Sequence, residues 1–220
     1  PLVSRGRRGG ADGRGPAVTG RALRHVPLGR LPYDEAWRLQ IAARARLLGG
    51  SEAGDVVFTV EHDPVLTAGR RARPENLLRS PERLAVDGVA VRAVERGGDW
   101  TYHGPGQLVA YPVVSLTARR LAIKDFVAAM ESAMISVVNG LFEAAGRSEL
   151  AGVRRCGFPG VWVEQASGRC KIGAVGVHVA HGVTLHGLAL NLDLDPDGFA
   201  WIVPCGLHQE RTASVASLLG

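Results

Sequence analysis

Two stretches and one lysine in the 220-residue sequence gather residue types that can do chemistry. The first stretch is Arg96-Gly97-Gly98-Asp99-Trp100-Thr101-Tyr102-His103-Gly104-Pro105-Gly106-Gln107, where four glycines and a proline surround an arginine, a histidine and two aromatics. Glycine lets a backbone approach a ligand closely and take positive φ. The stretch therefore fits a ligand loop between two strands, or simply a long turn. It is not G-x-x-x-x-G-K-[ST], which excludes a P-loop, and no helix pattern follows it, which excludes a dinucleotide fingerprint. The second stretch is Pro204-Cys205-Gly206. Proline holds the residue before it extended and glycine permits a tight turn, so Cys205 is presented at a corner as a candidate nucleophile. The alternative is a buried structural thiol, since cysteine is among the most buried residue types. Cys156 and Cys170 fit that bland alternative, or a merely exposed thiol.

A reactive thiol needs an activating partner. Of the 26 basic residues only Lys124 and Lys171 are lysines, so the ordinary positive surface is made from arginine. A lysine can shed its proton when desolvated and an arginine effectively cannot. Lys171 opens an apolar strand, where it would either lower a thiol pKa as a cation or accept the proton as an amine. Lys124, beside Asp125 at a helix start, fits a solvated face. His178, His181 and His186 have no accompanying carboxylate and no recognised metal spacing, so no metal is expected. His62 and His103 fall at strand ends or in the glycine stretch, where polar site residues collect, whereas His25 and His208 fit solvent.

The elements that must position these groups alternate α and β. Residues 32–48 predict a helix with Trp37, Ile41, Ala45 and Leu48 on one face, ended by Gly49-Gly50. Residues 55–61, 65–67, 89–94 and 108–114 predict strands. Residues 122–145 predict the main amphipathic helix, with Ile123, Phe126, Val127, Met130, Met134, Val137, Val138 and Leu141 at helical spacing. A hairpin is expected from 161–164 and 171–179, then a strand at 184–192 and a short helix at 195–201. Spacing in 160–192 is too tight for crossovers, so a mixed, largely antiparallel sheet flanked by two helices is expected, an α+β arrangement.

Charge is confined to one end. Residues 1–24 hold six arginines against Asp12, which is the whole net charge of +5, and the other 196 residues balance. Arg/Gly-rich and free of aromatics, they predict a disordered leader, with one folded domain over 25–220. The folded part has no basic footprint for nucleic acid. No apolar run approaches a membrane span and no signal peptide is evident. Three cysteines without C-x-x-C argue against a disulfide framework, and a reducing cytoplasm is the expected location.

The blocks Glu61-His62-x-Pro64-Val65, Arg96-Gly97-Gly98-x-x-Thr101-Tyr102-His103-Gly104-Pro105-Gly106-Gln107-Leu108, Lys171-x-x-Ala174-Val175-Gly176, His186-Gly187-Leu188-Ala189-Leu190-Asn191 and Pro204-Cys205-Gly206 resemble, in order, those of the lipoyl(octanoyl) transferases. The resemblance spans residues 30–220. It implies the biotin/lipoate ligase-like (class II synthetase-like) fold, an acyl-thioester on Cys205 and activation by Lys171. It also implies a substrate pocket from Arg96, Gly97, Gly98, Asp99, Trp100, Thr101, Tyr102 and His103, with Ala174, Val175, Gly176, Gly187, Leu188 and Ala189; His62 and His186 are candidates for support. The implied donor is octanoyl-acyl carrier protein, whose phosphopantetheine carries the acyl group. The implied acceptors are lipoyl domains of 2-oxoacid dehydrogenases and glycine-cleavage H protein. No ATP, metal, nucleic acid or membrane is expected, and the protein is expected to be a monomer. Two departures stand out: residues 1–24 have no family counterpart, and a further C-terminal helix is expected beyond Gly220. An ATP-dependent lipoate or biotin ligase would share the fold, but the loop lacks a Ser-Gly-Gly-Gly run and Cys205 would be idle. A non-enzymatic binding protein would tolerate loss of both Cys205 and Lys171.

Overall fold

The structure is a computed structural model that describes residues 22–50, 54–166, 168–204 and 210–220. In chain order the strands are β1 (Leu23–Arg30), β2 (Asp55–Glu61), β3 (Val65–Ala68), β4 (Ala90–Ala93), β5 (Trp100–His103), β6 (Gln107–Val113), β7 (Gly152–Val153), β8 (Gly160–Gln165), β9 (Gly168–Ala180), β10 (Val183–Asn191) and β11 (Arg211–Thr212). The helices are α1 (Tyr33–Leu48), α2 (Pro81–Val86), α3 (Leu116–Arg119), α4 (Ile123–Ala144) and α5 (Val215–Leu219), with 3-10 turns at Pro74–Asn76 and Pro196–Trp201.

The strands form two sheets rather than the one expected. The larger runs β1-β2-β6-β10-β9-β8-β7, with β11 also on β9, and the smaller is β4-β3-β5. Pairings in the larger are antiparallel except β1 on β2 and β11 on β9. Asp63-Pro64 ends β2 and lets the chain leave the large sheet; β3 then pairs with β4 and β5 instead. Four strands escaped sequence reasoning, among them the two-residue β7 and β11. β1 begins at Leu23, inside the segment assigned to the leader, and β5 lies within the glycine-rich stretch, where Trp100, Thr101 and Tyr102 are strong strand formers.

The two long helices cover opposite faces of the large sheet. Along β10, Leu185 and Ala189 join the cluster under α1, whereas Leu188 and Leu190 join those under α4 and α5. Alternation along a strand puts these sets on opposite faces. Both helices are rotated from the expected faces. α1 buries Tyr33, Ala36, Gln40 and Ala43, while Ala45 and Leu48 are exposed. The small Ala36 and Ala43 let its backbone lie close to the strands. α4 buries Phe126, Met130, Met134, Val138 and Phe142, a row of i+4 steps that forms an inclined ridge across the twisted sheet. Ile123, Val137 and Leu141 stay exposed. By length and composition α4 would suffice to cross a bilayer, which the sequence was not expected to contain; here its inner row packs on the sheet. The expected short helix at 195–201 forms as a 3-10 turn over Pro196–Trp201, capped by Asp195.

Candidate active site

Lys171 is set by an irregularity in β9. Across the β8–β9 ladder Gly173 pairs with Val161 and Lys171 with Trp162, so Ile172 is an extra residue. Such a bulge redirects the side chains beside it. Ile172 is fully buried, and Lys171 is left half-buried with its Nζ 5.3 Å above the Trp162 ring. Trp162 is itself fully buried and carries the Arg155 guanidinium 4.9 Å from its centre, and Arg155 is ion-paired to Glu210. Gly160 leaves room for the lysine stem: a Cβ there would press on Lys171 Cε and the Gly173 carbonyl.

Lys171 opens onto a cleft of about 550 Å³ lined also by Arg71, Arg73, Gly97, Gly98, Phe158, Val175 and Gly176. From Gly97, Gly98, Val175 and Gly176 a narrower apolar pocket of about 60 Å³ runs inward. Its walls add Arg96, Thr101, His103, Ala174, His186, Gly187, Leu188 and Ala189, and Tyr33, Val109 and Tyr111 also line it. On a third side Lys171 shares a small cavity of about 20 Å³ with Thr101, Gln107, Ala174, Asn191 and Pro204. Cys205 lies outside the described residues, as do Gly206 and His208; Pro204, the last described residue before them, lines this cavity.

Strand alternation sorts the expected pocket residues. Thr101 and His103 line the narrow pocket, while Trp100 and Tyr102 turn the other way into the core of the small sheet. Trp100 and Tyr102 therefore do not line the site. Asp99 lines the outer cleft, and its carboxylate is occupied by the backbone N–H groups of Arg73 and Trp100 and the amide of Asn76. Arg96 is buried in the pocket wall, where it donates to Thr67 O at 2.6 Å, to Thr67 Oγ1 and to Gly97 O, clamping the glycine turn.

The inner end is a hydrogen-bonded set of rings. His62 Nδ1 lies 2.8 Å from the Leu31 carbonyl, which can only accept, so Nδ1 carries the proton. In the neutral ring Nε2 then accepts from the Tyr111 hydroxyl at 2.8 Å. His62 thus stands behind the pocket, fixing Tyr111, rather than lining it. Gln107 donates from its amide nitrogen to Tyr102 O and Asn191 Oδ1, leaving its oxygen to accept from His103 Nδ1 at 2.7 Å. Burial lowers the pKa of His62 and His186 and pushes His103 down to about 3, so these rings are neutral. Burial likewise pushes the Tyr111 hydroxyl well up. His186 lines the pocket with a left-handed backbone (φ 59°), held by its N–H to Gln40 at 2.8 Å. Its Nε2 is 3.5 Å from Glu95, whose carboxyl that contact draws down to about 2.

The arrangement is a polar cleft, lined by Lys171, that meets a narrow apolar pocket at Gly97, Gly98, Val175 and Gly176. The catalytic domain model of lipoyl protein ligases A and B matches residues 32–220. The octanoyltransferase of Chloroflexus aurantiacus is 43% identical over 194 residues, covering 88% of this chain and 82% of that protein. The octanoyltransferase of Desulfotalea psychrophila is 40% identical over 195 residues, covering 89% and 83%. The chain belongs to the octanoyltransferase family. Solved structures extend the family likeness to the fold: a bipartite lipoate protein ligase of Thermoplasma acidophilum superposes with a TM-score of 0.61 at 20% identity, over 90% of this chain and 76% of that one. Lipoate-protein ligase A bound with ATP gives 0.61 at 18% identity, over 88% and 76%. The fold is thus that of the lipoate ligases, as the family blocks imply.

Cys170 is buried, with its thiol 3.6 Å from the Val163 carbonyl and its pKa raised by burial, and Cys156 is exposed. Among the described residues no group of three His, Cys, Asp or Glu side chains converges as metal ligands. Sequence reasoning missed Tyr33, Val109, Tyr111, Arg71 and Arg73. Tyr33, Arg71 and Arg73 come from elements and turns remote from the glycine stretch, and Val109 and Tyr111 from β6, the strand that follows it.

Proposed function

We propose that this chain transfers an octanoyl group from octanoyl-acyl carrier protein to the lipoyl-domain lysine of lipoate-dependent enzymes, with Cys205 as nucleophile and Lys171 as its proton carrier. The observation that carries it is the junction of the two cavities. An apolar chain in the narrow pocket would leave its carbonyl at Gly97, Gly98, Val175 and Gly176, in the cleft that Lys171 also lines, and Lys171 in turn shares a small cavity with Pro204.

In the first half-reaction the Cys205 thiolate attacks the thioester carbonyl. A new C–S bond forms, the phosphopantetheine thiolate leaves, and Lys171 returns the proton to it. In the second the acceptor amine attacks the acyl-enzyme, the C–S bond breaks, an amide forms, and the proton released by the amine restores the cysteine and lysine. Splitting the transfer uses a thiol where the donor is a thioester and an amine where the product is an amide. Backbone N–H groups of Ala174 to Gly176 are the proposed oxyanion donors. The protons of such a pair belong to the pair, not to either residue alone.

Residues 25–220 would act as one catalytic domain, as a monomer, without ATP or metal, in the cytoplasm. The ligase neighbours share the fold only, and the closer sequence likeness is to octanoyltransferases. The test is intact mass after mixing with octanoyl-acyl carrier protein and no ATP. An octanoyl adduct that hydroxylamine removes is expected, absent in Cys205→Ser and present in Cys156→Ser and Cys170→Ser. An adduct persisting in Cys205→Ser, or one requiring ATP, would overturn the assignment.

A further inference from the structure

Arg71 and Arg73 line the outer cleft, and both are exposed. Arginines elsewhere on the chain are paired: Arg79 with Asp87, Arg154 with Glu131 and Arg155 with Glu210. No carboxylate among the described residues pairs with Arg71 or Arg73. Among the described residues Asp99 is the one acid in the cleft wall, and its oxygens are already taken by the Arg73 and Trp100 backbone and by Asn76. The cleft lining therefore sets two exposed guanidinium groups against one engaged carboxylate.

The two arginines also stand on a fixed backbone. Arg71 N–H donates to Gly98 O at 3.0 Å, Arg70 N–H to Arg96 O at 3.0 Å, and the Trp100 indole donates to Arg73 O at 2.9 Å. The turn that carries them is thus laced to the glycines at the mouth of the narrow pocket. Guanidinium groups match phosphate oxygens in charge and geometry, and preorganised ones lose less entropy on binding. The same cleft is also lined by Val127, Phe158, Val175 and Val177, a surface suited to an uncharged arm.

We propose that Arg71 and Arg73 seat the phosphate of the acyl donor's phosphopantetheine arm in the outer cleft, outside the narrow acyl pocket. This rests on the donor being an acyl-phosphopantetheine thioester, as in the proposed function. The seat would hold the arm so that the thioester, and not the thiol end alone, is fixed at Lys171.

The test compares octanoyl-4′-phosphopantetheine with octanoyl-pantetheine as small donors at low salt, with a lipoyl domain as acceptor. The wild-type protein is expected to favour the phosphorylated donor by about tenfold in KM, the scale of a few charge-assisted contacts at an exposed site. In Arg71→Gln/Arg73→Gln that preference should collapse towards one, through KM and not kcat. Arg71→Lys/Arg73→Lys should keep part of it, and Arg79→Gln all of it. An unchanged preference in the double glutamine variant overturns the seat. So does an effect confined to intact acyl carrier protein, which would assign the arginines to the carrier's acidic surface. A wild-type protein that forms no acyl-enzyme with any donor overturns the proposed function instead, and is told apart by the missing adduct.

Discussion

Gly176 and Gly187 stand directly opposite each other across the β9–β10 ladder, and the next pair on that face is Ala174 with Ala189. Four residues without a side chain longer than methyl leave a furrow in the middle of the large sheet, and the narrow pocket lies over it. The two glycines are not equivalent. A Cβ on Gly187 would collide with the Ala110 carbonyl and press on Pro112, which are backbone and ring atoms of β6. A Cβ on Gly176 would meet Arg96 Cδ at 3.1 Å, a side chain that can yield slightly.

Gly187→Ala is therefore expected to destabilise the fold by about 1–3 kcal/mol, the usual cost of forcing atoms into a packed interior. Gly176→Ala should cost less in stability, but should disturb the Arg96 clamp and raise the KM for donor. Urea midpoints and donor kinetics for the pair check this. A Gly176→Ala variant less stable than Gly187→Ala would contradict it.

Tyr111 closes the narrow pocket with its hydroxyl tied to His62. Tyr111→Phe removes the donor and strands a buried His62 nitrogen, a loss of about 1–3 kcal/mol in stability with acyl-length preference retained. Tyr111→Ala should lengthen the pocket and shift the preferred donor from octanoyl towards decanoyl or dodecanoyl. The readout is the ratio of kcat/KM for the long and short donors. An unchanged ratio in Tyr111→Ala would show that the chain end lies elsewhere.

Which parts of this site were legible in sequence follows from how local they are. Lys171, the glycine turn and the Ala174–Gly176 and Gly187–Ala189 blocks each declare themselves within a few residues, and the cavities do gather around them. Tyr33, Tyr111 and Arg71 declare nothing locally: a tyrosine at a helix start, one in an apolar strand and one arginine among 24 look ordinary. Trp100 and Tyr102 erred the other way. Counting the whole stretch as loop concealed the strand alternation that sends them into the small sheet's core. The helix faces were misjudged because hydrophobicity ranked Trp37 and Leu48 above Ala36 and Ala43, whereas close approach to a sheet favours the small residues.

Buried neutral histidines make stability depend on pH. His62, His103 and His186 all have native pKa values below their ordinary 6.5, with burial the largest cause, and His103 falls to about 3. Below pH 6.5 the unfolded chain binds protons that the native rings refuse, so their contribution is whole above that value and fades as pH drops. Glu95, held at about 2 by His186, adds its own loss only below its ordinary value of 4.5. From pH 7 to pH 5 a loss of roughly 2 kcal/mol is expected from His103 alone. Urea midpoints at the two pH values measure it, and His103→Gln should show a smaller drop. Equal drops would assign the pH dependence to other groups.

Lys171 separates two ways of activating a thiol. As a proton carrier it must exist as a neutral amine during each turnover, which a guanidinium cannot do at working pH. As a fixed cation it need only be positive, and arginine would serve. Its setting lets the two be told apart, because the stem passes Gly160 and lies against Trp162, so a replacement of similar length starts along the same path. Lys171→Ala is expected to lose at least about a hundredfold in kcat for acyl-enzyme formation, in line with removal of a general base. Lys171→Arg should be nearly as inactive, while still trapping the thiol-alkylating reagent iodoacetamide on Cys205 at a rate that no longer follows the wild-type pH profile. Near-wild-type acylation in Lys171→Arg would reject the proton-carrier role and leave the lysine as a charge beside the thiolate.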